Sequence, residues 1–211
     1  IFNYSQALKS NGKYLLAEQW LKEYAELRPE DGRVNIQVSL LEYIQFLMRD
    51  SANYEILNTA INTIGSDMGP SFYKDRLIFS STSIGTKPGA TYKWNELPYL
   101  DMYSAKIGPY GDLSSPEAFA TKLKTPYHDG PVSYDAKNDL LYFTRNSYLK
   151  GKASQSREGV TNLKIFMGKP EGDDWKLSGN FRYNSDEYSV GHPSIDPTGT
   201  VLYFASDMPG G

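Results

Sequence analysis

Two periods of apolar residues divide this chain. Over residues 1 to about 62 the apolar positions recur at three- and four-residue steps, the spacing that lines one face of a helix. In "YSQALKSNGKYLLAEQWLKEYAELRPEDG" they are Tyr14, Ala17, Leu21, Tyr24 and Leu27. Asn11-Gly12 sets a turn before this face, and Pro29 with Asp31-Gly32 closes it. A second segment carries Val34, Val38, Leu41, Ile44 and Met48 on one face, and "NYEILNTAINTI" reads as a third, shorter helix.

Within the first pair, Gly12, Tyr14, Ala17, Leu21 and Pro29 fit the tetratricopeptide (TPR) pattern of a glycine between helices, a small residue where they cross, and a closing proline. An ordinary helical hairpin would read much the same. A single such unit cannot bury its face alone, so neighbouring repeats before Ile1 are expected.

From about residue 65 the period changes to strands and turns, and the segments repeat. With a constant offset, "GPVSYDAKNDLLYFTRN" from Gly130 lies over "GHPSIDPTGTVLYFASD" from Gly191 without a gap. The shared skeleton is Gly130/Gly191, Ser133/Ser194, Asp135/Asp196, Leu141/Leu202, Tyr142/Tyr203 and Phe143/Phe204. A weaker copy, "PSFYKDRLIFSST", puts Leu77, Phe79 and Ser80 in the places of Leu141, Phe143 and Thr144. "YLDMYSAK" and "NLKIFMGK" repeat as well, matching Leu100/Leu163, Met102/Ile165 and Tyr103/Phe166. One antiparallel unit recurring about every 60 residues is the mark of propeller blades. The expected architecture is α+β and multidomain: a TPR-like helical segment over 1–64, then part of an all-β propeller of antiparallel blades over 65–211, ending mid-ring.

Composition narrows the chemistry. The net charge is -3 with no basic stripe, so nucleic acid is not an expected partner. There is no cysteine, which removes disulfides, thiolate metal sites and cysteine nucleophiles. No transmembrane run and no signal peptide are visible. A mean hydropathy of -0.53 with 39% hydrophobic residues indicates a polar surface over a real core.

Few residues invite a chemical role. His128 in "PYHDGP" and His192 in "VGHPS" both precede a repeat strand and are read as loop hydrogen-bonding groups rather than ligands. The acidic runs Ser185–Tyr188 and Glu171–Trp175 lack the alternating oxygens of a calcium loop and read as turn caps. "SIGTKPGATYKWNE" and "GKASQSREGV" lack phosphate-loop spacing and read as exposed insertions open to partner contact. No nucleophile elbow is present. No catalytic, cofactor-binding or metal residue is therefore assigned, and no cofactor is expected.

The runs "NSDEYSVGHPSIDPTGTVLYFASDMPGG", "YFTRN" and "LKIF…W" resemble the propeller repeats of the Bacteroidota OmpA-family periplasmic proteins. Proteins of that group carry TPR repeats, a propeller of WD40-like (PD40) repeats, a carboxypeptidase-regulatory-like domain and an OmpA-type peptidoglycan-binding domain. Some are PorE-like components of the type IX secretion system, and others pair with PorP/SprF-type outer-membrane proteins in gliding or adhesin display. The resemblance implies a non-enzymatic scaffold, periplasmic and associated with the outer membrane. It would dock an outer-membrane β-barrel and reach peptidoglycan through domains absent from this chain. Two other readings stand beside it: a propeller that recognises a glycan or peptide at its central channel, and a propeller attached to a hydrolase whose nucleophile domain would lie beyond Gly211.

Overall fold

The computed structural model describes residues 1–34, 40–84, 91–149 and 151–210. Two compact units divide the chain, Ile1–Leu57 and Asn58–Gly211. Three helices precede a unit made almost wholly of antiparallel sheet, so the fold is α+β.

In the first unit, α1 (Phe2–Ser10) and α2 (Tyr14–Leu27) are joined at Asn11–Lys13, where Gly12 takes φ +71°. A left-handed residue ends α1 cheaply only if it is glycine. Ala17 is fully buried against Leu8, with Trp20 and Ile44 of α3 (Leu40–Met48) packed around them. The face drawn from the sequence is only partly covered: Leu21 and Tyr24 are half-buried, whereas Tyr14 and Leu27 are exposed. After α2 the chain is pinned back by Asp31, whose carboxylate accepts from the Tyr24 hydroxyl at 2.7 Å and from Arg33 Nε at 2.8 Å. Arg33 lies 4.3 Å from the centroid of the Phe2 ring. Val38 lies outside the described residues.

The third helix expected over "NYEILNTAINTI" does not form. A 3-10 turn over Ser51–Asn53 is followed by non-helical chain in which Tyr54, Ile56 and Leu57 are exposed. Asn and Thr compete with helical bonding here. The Thr59 hydroxyl donates to Asn62 Oδ1 at 2.8 Å, and both the N–H and the hydroxyl of Thr63 donate to Asp67.

The second unit opens with β1 (Asp67–Tyr73), β2 (Arg76–Ser81), β3 (Asp101–Lys106) and β4 (Glu117–Ala118), one antiparallel sheet in sequential order. The next strands are β5 (Asp129–Asp135), β6 (Leu140–Asn146), the small hairpin β7 (Tyr148–Leu149) and β8 (Lys152–Ala153), then β9 (Leu163–Glu171) and β10 (Asp174–Asn180). Of these, β5, β6, β9 and β10 form a second four-stranded sheet in that spatial order. A hairpin of β11 (Val190–Ile195) and β12 (Leu202–Ser206) follows. Among the described residues no sheet closes on itself.

Register makes the repetition concrete. Ser133 lies opposite Tyr142 and Ser194 opposite Tyr203, as the sequence offset requires, and Ser71 lies opposite Ile78. Each hairpin has its irregularity just before that serine, at Met68/Ser71, Asp129/Val132 and Gly191/Ser194. A bulge conserved through three copies bends each first strand in the same way. Met102 faces Ser80 across β3, and Ile165 faces Thr144 across β9, so the second repeated segment is likewise in register. To the three strands per unit read from sequence the structure adds a fourth, β4 and β10.

The copies are locked to one another by their serines. Tyr134 N–H donates to Ser71 Oγ at 3.3 Å, and one repeat later Ile195 N–H donates to Ser133 Oγ at 3.0 Å. Thr144 Oγ1 accepts from His192 N–H at 2.8 Å. The corresponding pair in the preceding junction is Ser80 and Pro131. Proline has no N–H, and among the described residues the buried Ser80 hydroxyl has no partner. Between the first two sheets lies the main core, in which Ile78, Met102, Val132, Leu141, Phe143, Phe166 and Trp175 are all buried.

Candidate functional site

Two features of the second unit collect chemistry: a buried ion pair at the start of β5, and a strip of aromatic rings on the loops beside it. The ion pair is built by neighbouring strands, with Asp129 opposite Arg145 in the β5–β6 ladder. Arg145 Nε donates to Asp129 Oδ1 at 2.6 Å, and Arg145 also donates to the Leu123 carbonyl. The other carboxylate oxygen accepts from Thr125 N–H at 2.6 Å and from its hydroxyl at 3.0 Å. Side-chain exposure is 5% for Arg145 and 1% for Asp129. The guanidinium carbon lies 4.9 Å from the Phe143 centroid and 5.3 Å from that of Phe166. Burial pushes the Asp129 carboxyl up from its ordinary value, against the opposing pull of Arg145 and Thr125. Both carboxylate oxygens are occupied, and the cavity that Asp129 borders, of about 30 Å³, is too small for a ligand, so the pair serves structure.

The aromatic strip lies on three connections. The chain between β2 and β3 makes a tight turn, with Tyr92 N–H donating to Leu97 O and Glu96 N–H to Tyr92 O, each at 2.8 Å. That turn holds Trp94 outward, 84% exposed. Ring centroids then follow at short steps: Trp94 to Tyr92 6.3 Å, Tyr92 to Tyr99 5.9 Å, Tyr99 to Tyr127 5.6 Å and Tyr127 to Tyr148 5.2 Å. His128 stands edge-on to Tyr92 and Tyr99, at 4.9 and 4.8 Å. None of these four tyrosine hydroxyls bonds to another described residue, which leaves a row of donors beside apolar ring faces. Such a surface suits stacking and hydrogen bonding to a polar ring-bearing or peptide ligand.

The two histidines do not come together as a pair. His128 precedes β5, and its Nδ1 accepts from Leu100 N–H at 3.1 Å; burial lowers its pKa. His192 sits inside the β11 bulge at φ +53° with an exposed ring, and its backbone N–H bonds to Thr144. They are therefore not equivalent positions of the repeat, as the sequence had implied.

The acidic runs are tied down as turns. Asp186 pairs with Lys164 at 2.5 Å and accepts from Ser154, and these two hold its carboxyl below the ordinary value. Glu171 pairs with Lys122 and Lys176, while Asp174 accepts from the Thr121 hydroxyl at 2.5 Å. Among the described residues no three His, Asp or Glu side chains converge on a common point.

A cleft of about 360 Å³ opens beside Tyr73, Arg76, Glu117, Asp174 and Trp175. Arg76 is already paired with Glu117 at 2.8 Å and Ser104 at 3.0 Å, so the cleft reads as a seam between sheets.

Of the two loops marked in the sequence as insertions, the first supplies Tyr92 and Trp94 to the strip, and its stretch 85–90 lies outside the described residues. The second is a compact turn closed by Ser156 N–H on Val160 O at 2.8 Å. Tyrosine content alone did not reveal the strip, because its members are spread over three connections. Comparison of the chain with protein-family models, with curated proteins and with solved structures gives no match.

Proposed function

We propose that this chain is the TPR-like and propeller part of a non-enzymatic periplasmic scaffold of the Bacteroidota outer membrane. It docks a PorP/SprF-type β-barrel, and domains outside the chain link it to peptidoglycan in type IX secretion, gliding or adhesin display. The resemblance of residues 184–211 carries the identity. The observation that best supports the architecture is the threefold bulged hairpin interlocked by Ser71 and Ser133. Four-stranded antiparallel sheets laid down in sequence, with β1, β5 and β11 side by side, are how propeller blades are arranged. The helical hairpin with Ala17 at its crossing supports the TPR reading. Such a scaffold works through rigid surfaces that accept partner elements. Affinity purification of the intact protein from membranes is expected to recover a PorP/SprF-type barrel; recovery of no outer-membrane protein overturns the proposal.

The aromatic strip favours one second reading, recognition of a glycan or peptide by the loops. Its test is quenching or blue-shift of Trp94 fluorescence on titration with cell-wall glycan fragments and peptides. A response lost in Tyr92→Ala would favour binding, and a flat titration would leave the scaffold alone.

A further inference from the structure

We infer that the first repeat copy carries a guanidinium-binding site around Asp67, which takes an arginine side chain of a polypeptide partner. The inference rests on comparing two copies within the chain and holds or fails apart from the scaffold reading.

The second copy shows what such a site holds. There Asp129 takes the Thr125 N–H and hydroxyl on one oxygen and Arg145 Nε on the other, with the guanidinium against Phe143 and Phe166. The first copy repeats this cage part for part. Thr63 N–H and hydroxyl donate to Asp67 Oδ2 at 2.6 and 2.9 Å, against 2.6 and 3.0 Å for Thr125 on Asp129. Phe79 and Tyr103 take the places of the two phenylalanines, with ring centroids 6.3 Å apart against 6.0 Å. Ile61 stands two residues before its threonine, as Leu123 does. The cation is what differs: Ser81 faces Asp67 where Arg145 faces Asp129.

An orphaned acceptor results. Asp67 Oδ1 is buried and has no hydrogen-bond partner among the described residues. Burial works to raise the Asp67 carboxyl, but the neighbouring Ser81 hydroxyl and Thr63 outweigh it, so the group stays ionised. A buried anion bonded on one side only is costly until a cation completes it. Across the next ladder Asp101 faces Ser81 where Lys164 faces Arg145, and Asp101 is itself paired with Lys124. A cavity of about 200 Å³ opens here, bordered by Ile61, Asp67, Leu77, Phe79 and Leu113. Its apolar walls suit the methylene stem of arginine, and the planar fork suits a carboxylate beside an aromatic face. Asp67 is the one charged residue lining it, so nothing there meets the carboxylate of a free amino acid. The arginines of the second unit are engaged elsewhere: Arg76 with Glu117, Arg145 with Asp129, Arg157 with Glu187 and Arg182 with Tyr183.

The probe is N-acetyl-arginine methylamide, which has no charged ends, titrated into the intact chain and followed by NMR. Saturable shifts are expected at the Thr63 and Asp67 amides and at the ring protons of Phe79 and Tyr103. The citrulline analogue, alike in shape but uncharged, is expected to bind about tenfold more weakly, and free arginine no more tightly than the capped form. Ser81→Arg supplies the cation from within, as Arg145 does, and is expected to abolish binding. Asp67→Asn, which keeps an oxygen for Thr63, removes the anion and should abolish it as well, so the test survives if one variant fails to fold. Absence of saturable shifts, equal binding of the citrulline form, tighter binding of free arginine, shifts confined to the Trp94 turn, or binding retained in either folded variant overturns the inference.

Discussion

Removing Arg145 tests the energetics of the second unit most sharply, because the three copies solve the same position differently. The facing residues are Asp67 and Ser81 in the first, Asp129 and Arg145 in the second, Val190 and Ser206 in the third. Arg145→Met strips the buried Asp129 of its cation while Thr125 keeps two bonds to it. Breaking one side of a fully buried pair costs about 3–5 kcal/mol, and the lost stacking on Phe143 and Phe166 adds about 1 kcal/mol. The double variant Asp129→Val/Arg145→Met puts an uncharged pair there, with valine at the place Val190 holds opposite Ser206. It should recover part of that loss, since buried pairs are replaceable by apolar ones at little net cost, while the Thr125 donors and the Leu123 carbonyl lose their partners. Urea unfolding followed at Trp175, buried in the same core, reports this unit. The midpoint should fall steeply for each single variant and return toward the parent in the double. A double variant as unstable as the sum of the singles would refute the argument, because the two positions would then be uncoupled.

Gly130→Ala should destabilise by about 2 kcal/mol or more, since a Cβ there would lie 1.8 Å from Ser80 Oγ at a φ of +107°. Gly191→Ala meets Thr144 at 3.1 Å and should cost less, a difference that thermal melts can rank. Ser133→Ala removes the acceptor of Ile195 N–H and should cost about 1 kcal/mol, read as faster hydrogen exchange at Ile195 with Tyr134 unchanged. His128 has its pKa lowered by burial, so the unfolded chain takes up its proton first as pH falls. Its contribution is complete above the ordinary value of 6.5 and is lost as pH drops from there toward the lower folded value. A stability titration should slope by no more than about 1.4 kcal/mol per pH unit in that window and flatten in His128→Gln.

The hairpins were legible because their signals are short-range and repeated: a serine, a turn aspartate, and Leu-Tyr-Phe at fixed spacing. The first copy was faint because its turn, Lys74–Asp75, is two residues rather than four between paired strand ends, which breaks the constant offset before Leu77. The fourth strands were missed for opposite reasons. β4 is too short to show a period, and β10 alternates around polar residues at an outer border. "NYEILNTAINTI" misled because its apolar spacing is helical while its Asn and Thr side chains bond locally instead. The Asp129–Arg145 pair and the tyrosine strip join residues separated by loops, and no local pattern encodes those meetings.

The proline opposite Ser80 has a mechanical consequence. Each junction between copies shares a serine-to-backbone bond, but only the later junction adds the Thr144 bond; the earlier one holds a hydroxyl with nothing to grip. Units copied from one template thus end up joined by seams of unequal strength. At that one position the earlier seam forgoes a bond worth about 1 kcal/mol, and it leans instead on the apolar side chains packed between its two sheets.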